Sequence, residues 1–241
     1  RVFRLPDDVA IMNRIGLCNK GLEQVISNIR ERNKGLVLGC NIGKNSATAP
    51  EDAPQDYLRV FRNLYQYVDY FTVNVSYNTS FKQYVPRTRE SIISILEPLF
   101  DFRRGQNQYR PILLKISPDL TNEDIDMMTD IMVDTPLDGI VATNGTVRHT
   151  SLATDAETLK RYGAGAVSGK PLTKRSVEVV RRVYERSNGT YPIIGVGGIM
   201  TPADAREMLN AGATLVQVYT GYVYNGPNFV GEICKELINQ K

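Results

Sequence analysis

Asparagine ends three apolar runs of this sequence: Asn41 in LGCNIGKN, Asn74 in TVNV and Asn144 in VATNGT. A carboxamide carries both donors and an acceptor, so three of them on one face would suit a planar heterocycle with imide edges. Taken singly, each is as readily a turn residue bonded to its own backbone. Lys115 is odder, because it lies inside the run ILLKI, where an ammonium is costly unless it is paired or used. It serves either a structural ion pair or negative charge developing on a bound ring, and the sequence leaves both open. Glycine supplies a third chemistry, since backbone N–H groups approach a phosphate closely only where no side chain intervenes. Two clusters qualify: Gly163, Gly165, Ser168 and Gly169 in GAGAVSGKPL, and Gly195, Gly197 and Gly198 in GVGGI. Either alone reads as a turn. Both together, with Tyr219 and Thr220 ending a later apolar run, favour a phosphate.

Such residues need a scaffold that gathers strand ends. The runs LVLGCNI (36 to 42), YFTVNV (70 to 75), PILLKI (111 to 116), GIVATN (139 to 144), PIIGVGGI (192 to 199) and LVQVYT (215 to 220) are apolar at successive positions, as strands buried on both faces should be. Between them Leu58, Phe61, Leu64 and Val68, and again Ile125, Met128 and Met132, recur with a period near 3.6 and predict amphipathic helices. Thr121 ahead of Asp124 and the pair Thr201-Pro202 mark helix starts, and Gly212 a helix end. The alternation predicts an α/β fold with a parallel sheet, either doubly wound or closed into a (β/α)8 barrel. A dinucleotide fingerprint should follow the first strand, whereas GVGGIM comes near the end with the wrong spacing. A barrel instead often holds a phosphate after its last two strands, where GVGGI and LVQVYTG fall. The sequence thus predicts one barrel domain over residues 1–241, with its first two strands expected from residues preceding Arg1.

Composition narrows the classes. With 241 residues, 42% of them hydrophobic and 23% charged, the chain can bury a substantial core. Lys and Arg number 29 against 26 Asp and Glu, a formal +3, and no basic run alternates with aromatics, which argues against nucleic acid. Cys18, Cys40 and Cys234 are odd in number and widely spaced, as free thiols in a reducing compartment would be. No metal-ligand set appears, and His149, the single histidine, lies in the polar stretch TVRHTS and reads as a surface-loop residue. Arg1 opens no signal peptide, and no apolar run approaches the ~20 residues that span a bilayer.

Taken in order, RVFRLPDDVAIMNRIG, GCNIGKN, DYFTVNVS, LLKISPDL, DGIVATN, GAVSGKPLTKRS, IIGVGGI and LVQVYTGYVYNGP run through essentially the whole chain. The set resembles the flavin-dependent dihydroorotate dehydrogenases, and the opening segment is similar to their membrane-associated, quinone-linked class. The resemblance implies oxidation of dihydroorotate to orotate in pyrimidine biosynthesis, with FMN at the C-terminal mouth of the barrel. The FMN phosphate would be held by backbone around Ser168-Gly169, Gly197-Gly198 and Tyr219-Thr220, with Val196 beside them, and the ring by Asn41, Asn74, Lys115 and Thr143. Substrate would meet Asn13, Asn74, Asn144 and an asparagine in the loop after TVNVS, with Gly145 where the family has Thr or Ser. A serine of that loop would take the C5 proton while hydride leaves C6 for the flavin. Electrons would pass on to a quinone entering near RVFRLP, where Arg4 matches a family quinone-site arginine. Peripheral attachment to an inner membrane is implied as well, through N-terminal helices absent from these residues, the chain itself being soluble.

Departures from the family pattern bear on the site. Leu17 stands for a phenylalanine, and the family loop N-x-S-[SC]-P-N is not matched, since Asn74-Val75-Ser76 runs straight into Tyr77-Asn78-Thr79. Either Ser76 stands in for the base and Asn78 for the substrate asparagine, or loop residues are missing between Ser76 and Tyr77. Two other readings stay open: a soluble fumarate- or NAD-linked enzyme or other FMN barrel, and a non-catalytic barrel remnant that binds phosphate or a partner protein.

Overall fold

The computed structural model describes residues 1–32, 35–75 and 88–239. The chain opens with two short strands, β1 (Val2–Leu5) and β2 (Ala10–Asn13). There follow β3 (Gly39–Ile42), β4 (Tyr70–Asn74), β5 (Ile112–Ile116), β6 (Gly139–Ala142), β7 (Ala166–Gly169), β8 (Ile193–Val196) and β9 (Leu215–Gln217). The helices are α1 (Leu22–Arg30), α2 (Ala53–Leu64), α3 (Arg89–Arg104), α4 (Asn122–Asp134), α5 (Ala156–Tyr162), α6 (Thr173–Arg186), α7 (Pro202–Asn210), α8 (Thr220–Asn225) and α9 (Phe229–Ile238). One six-stranded sheet runs β3-β4-β5-β6-β8-β9, parallel throughout, and each of its strands lies in one of the apolar runs identified from sequence. It supplies six of the eight strands of a (β/α)8 barrel.

The helix periodicities are those of a sheet-covering layer. Phe61, Leu64, Ile125 and Met132 are buried against the outer face of the sheet, where Phe71, Ile112, Leu114 and Ile140 meet them. Thr121 and Thr201 cap α4 and α7, each in a reciprocal pair with the aspartate three residues on. Strand alternation turns the other set of side chains inward. Leu113, Val141 and Val196, with Tyr70 and Ile194, fill the bottom of the barrel interior. Asn74 pairs with Lys115 and Lys115 with Val141 in register, so the two polar side chains share that inner face.

The segment GAGAVSGKPL departs from expectation. Part of it is β7, which leaves the barrel sheet and pairs antiparallel with β2, matching Met12 to Val167 and Ile11 to Ser168. With β1 this makes a three-stranded cap of order β1-β2-β7. One face of the cap buries Leu5, Ala10, Met12 and Val167, and Phe3 stacks on Tyr162 of α5 at 4.3 Å. The alternate residues Asn13, Ala166 and Ser168 face the mouth of the barrel. Gly163 and Gly165 accordingly serve structure: the first ends α5 at φ 75°, and the second lies against Met12 and the Asn13 carbonyl.

Asp8 fastens this cap. Its carboxylate, 8% exposed, accepts the N–H of Ala153 (2.6 Å) and of Thr154 (3.1 Å) and the Thr154 hydroxyl (2.5 Å). Burial by itself would raise its pKa, but these bonds outweigh it and hold the carboxyl below its ordinary value. Such a group stabilises the fold above its unfolded pKa, and the contribution is lost as pH falls through the folded one. Asp8→Asn is therefore expected to lower Tm at pH 7, by the equivalent of about 1–3 kcal/mol. The gap from wild type should close below about pH 4, as the wild-type carboxyl takes up its proton. Melting curves of both proteins from pH 3 to 7 check this; a gap that stays constant would mean that shape rather than charge is at work.

Candidate active site

Where the parallel strands end, the barrel wall and the cap enclose a cavity of about 820 Å³, within the size range of small-molecule and cofactor sites. The barrel wall contributes Asn41, Asn74, Lys115, Thr143, Asn144, Gly145, Val196, Gly197 and Gly198 to its lining. Asn13, Ser168 and Gly169 reach it from the cap, and Tyr219 and Thr220 from the start of α8. Residues spread from 13 to 220 thus meet in one space. Arg4 does not line it. That side chain is exposed on β1, in the row Arg4, Ile11, Ser168, with its guanidinium 5.0 Å from the ring centroid of Tyr224. Ser76 and Asn78 lie outside the described residues.

Lys115 bears on the alternative left open by sequence. Among the described residues no carboxylate forms an ion pair with it, and its neighbours on the inner face are Asn74 and Val141. The structure therefore gives no support to a structural ion pair. Burial without a counter-ion pulls its pKa down to about 8, while the ammonium remains open toward the cavity. Beside it Asn74, 5% exposed, accepts a hydrogen bond on its side-chain oxygen from the Asn144 amide at 3.3 Å. The Tyr57 hydroxyl donates to the Asn74 carbonyl at 2.8 Å and fixes the strand end from the helix side. A cation with no ion pair among the described residues and two hydrogen-bonded carboxamides thus line the cavity together.

Elsewhere the cavity lining is rich in hydroxyls and N–H groups. Thr220 donates to the Ser168 hydroxyl at 2.8 Å, joining α8 to the cap. The N–H groups of Gly197 and Gly198 have no hydrogen-bond partner among the described residues, and both glycines hold positive φ, 122° and 76°. Thr143 is anchored from below, its hydroxyl lying 3.0 Å from that of Ser176, a fully buried residue of α6.

Several contributors have no distinctive sequence signal. Ser176 looks like an ordinary polar residue of a charged helix. Thr72 shares the inner face with Asn41, its partner in register, and is 8% exposed. Asp119, in the SPDL turn after β5, also lines the cavity. Cys40 faces away from Asn41 and toward the helices, and burial pushes its thiol up to about 11, so it is inert at neutral pH. His149 is half-buried and bonds the Gly165 carbonyl at 2.9 Å, a structural role.

Comparison with known proteins agrees with this geometry. A family model described as dihydroorotate dehydrogenase matches residues 1–240. The chain is 42% identical over 240 residues to the dihydroorotate dehydrogenase (quinone) of Christiangramia forsetii, covering 100% of this chain and 69% of that protein. Against the protein of the same name from Corynebacterium efficiens it is 41% identical over 241 residues, covering 100% and 62%. The ligand-free crystal structure of DHODH from Eimeria tenella superposes with a TM-score of 0.88 at 30% identity, over 99% of this chain and 72% of that one. The chain thus spans between 62% and 69% of the length of these two curated relatives. A partial (β/α)8 barrel, a cavity at its mouth lined by carboxamides and a lysine, and a family match along the whole sequence agree: this chain belongs to the dihydroorotate dehydrogenase family.

Proposed function

We propose that this chain carries the flavin and substrate site of a quinone-linked dihydroorotate dehydrogenase, oxidising dihydroorotate to orotate in pyrimidine biosynthesis. The observation that carries the reading is Lys115, a half-buried cation with no counter-ion among the described residues, set beside the Asn74–Asn144 pair at the cavity wall. The donor set fits FMN. Ser168, Thr220 and the free N–H groups of Gly197 and Gly198 would hold its phosphate; Asn41, Asn74, Lys115 and Thr143 would hold its ring. When bound, FMN supplies the acceptor for hydride.

The side chains of this chain do the rest. Lys115 offers a fixed positive charge where negative charge grows on the ring. Asn74 and Asn144 present donors and acceptors to a planar imide, and Asn13 closes over it from the cap. Gly145 has no hydroxyl to add, so substrate orientation rests on the carboxamides. Ser76 is the proposed base, or the residue that stands nearest to it in the chain. Arg4, at the outer end of the cap over Tyr224, is the proposed contact for the quinone. Attachment at a membrane surface belongs to the same proposal, because the acceptor resides there; no helix among the described residues is long and apolar enough to cross a bilayer.

Anaerobic addition of dihydroorotate to the purified yellow protein is expected to bleach the flavin absorbance. If saturating dihydroorotate leaves the flavin oxidised while dithionite reduces it, the substrate assignment is wrong. Protein that takes up no flavin would instead be the phosphate-binding remnant.

A further inference from the structure

We infer that Asp119 is a positioning residue that couples the barrel wall of the cavity to the cap, and so sets Asn13 against Asn74 and Asn144; the inference rests on the substrate reading above. Asp119 belongs to the turn Ser117–Leu120, directly after the strand that carries Lys115. That turn is rigidly held: Arg175 of α6 donates to the carbonyls of Pro118 (2.9 Å) and Leu120 (2.8 Å), and Arg148 to that of Asp119 (3.0 Å). The Asp119 carboxylate then reaches across to the next loop. One oxygen accepts the Thr146 hydroxyl at 2.5 Å and the other the Val147 N–H at 2.8 Å, with the Arg148 guanidinium 3.7 Å away.

What Asp119 grips is the link between the two walls. Thr146 exchanges backbone hydrogen bonds with Val167 of β7, at 3.0 and 2.7 Å, and Val167 pairs with Met12, next to Asn13. On its other side, the Asn144 N–H donates to the Ile116 carbonyl at 3.0 Å, and the Asn144 amide meets Asn74. Between the two anchors stands Gly145, whose missing side chain leaves nothing but backbone to carry the register; a Cβ there would lie 3.1 Å from the Val167 carbonyl. The chain of contacts runs Asp119, Thr146, Val167, Met12. It joins the barrel carboxamides to the cap asparagine.

The test compares Asp119→Ala with Asp119→Asn in the flavin-loaded protein. Asp119→Ala should raise KM for dihydroorotate about tenfold with flavin content unchanged, short of the roughly 10²-fold that a 1 Å misplacement can cost. Asp119→Asn should stay within about threefold of wild type, because its amide can still accept from Val147 and donate to Thr146, at the cost of one weakened bond. Hydrogen exchange supplies the readout independent of turnover: in Asp119→Ala both 144–148 and 166–169 should exchange faster. If 166–169 exchanges as in wild type, the coupling is refuted whatever the kinetics show. Equal KM defects in Asn and Ala would replace positioning with a direct charge effect and overturn the proposal. Faster exchange in both segments, with flavin that dihydroorotate does not reduce even in wild type, would support the clamp and sink only the substrate reading.

Discussion

Lys115→Met should slow the reduction of bound flavin by dihydroorotate about 10²-fold, as expected for loss of one main electrostatic contact, and should at the same time raise Tm. The two effects share a cause. The ammonium is held in a strand with no counter-ion among the described residues, and burial has brought its pKa down to about 8. Between that value and the ordinary lysine value of ~10.4, the unfolded chain binds more protons than the folded one, so stability rises with pH across this window. At pH 7 the charge is therefore a burden on the fold. Methionine removes it at similar volume, and Tm should rise by several degrees, at about 2–4 °C per kcal/mol for a chain of this size. The gain should shrink by pH 10, where the wild-type amine is already neutral in the folded state. Melting curves at pH 7 and 10 and anaerobic stopped-flow reduction measure both halves. A lower Tm with undiminished reduction would return Lys115 to the role of a structural cation.

Gly198→Ala is expected to destabilise the protein by about 2–5 kcal/mol and to weaken flavin retention, whereas Gly226→Ala should cost only about 1–3 kcal/mol. Both glycines sit at nearly the same positive φ, 76° and 81°. They differ in what surrounds them. A Cβ on Gly198 would lie 2.2 Å from the backbone nitrogen of Thr173, so the first turn of α6 would have to move, while a Cβ on Gly226 meets nothing within 4 Å. Both variants carry a backbone penalty, and the overpacking penalty falls on Gly198 alone. The same shift would displace the Gly198 N–H that the phosphate is proposed to use. Thermal denaturation and the flavin-to-protein absorbance ratio of the two variants separate the contributions. Equal destabilisation would show that α6 yields without cost.

Much of the scaffold is legible from local pattern. Strands buried on both faces leave unbroken apolar runs, and helices lying on a sheet leave a period of 3.6; both signals come from each segment's own side chains. Parallel strands then deliver their ends to one side, which is why Asn41, Asn74 and Asn144, unremarkable singly, line one cavity with Lys115. The cap was not legible in the same way. The strands β1, β2 and β7 have four residues each, and β2 finds β7 more than 150 positions later, so no local period announces the pairing. Its consequence is that Gly163 and Gly165 became structural while Gly169 reached the cavity.

The types and order of the chemical groups were thus determined by the sequence itself, because chemistry and burial period are properties of residues and their near neighbours. Which of those groups has a partner was decided only by tertiary structure. Lys115 could have met a carboxylate and among the described residues meets none; Asp119 could have faced solvent and instead holds Thr146 and Val147. Contacts of that kind join loops that follow different strands, and their geometry depends on how the whole sheet curves and on how the cap closes over it.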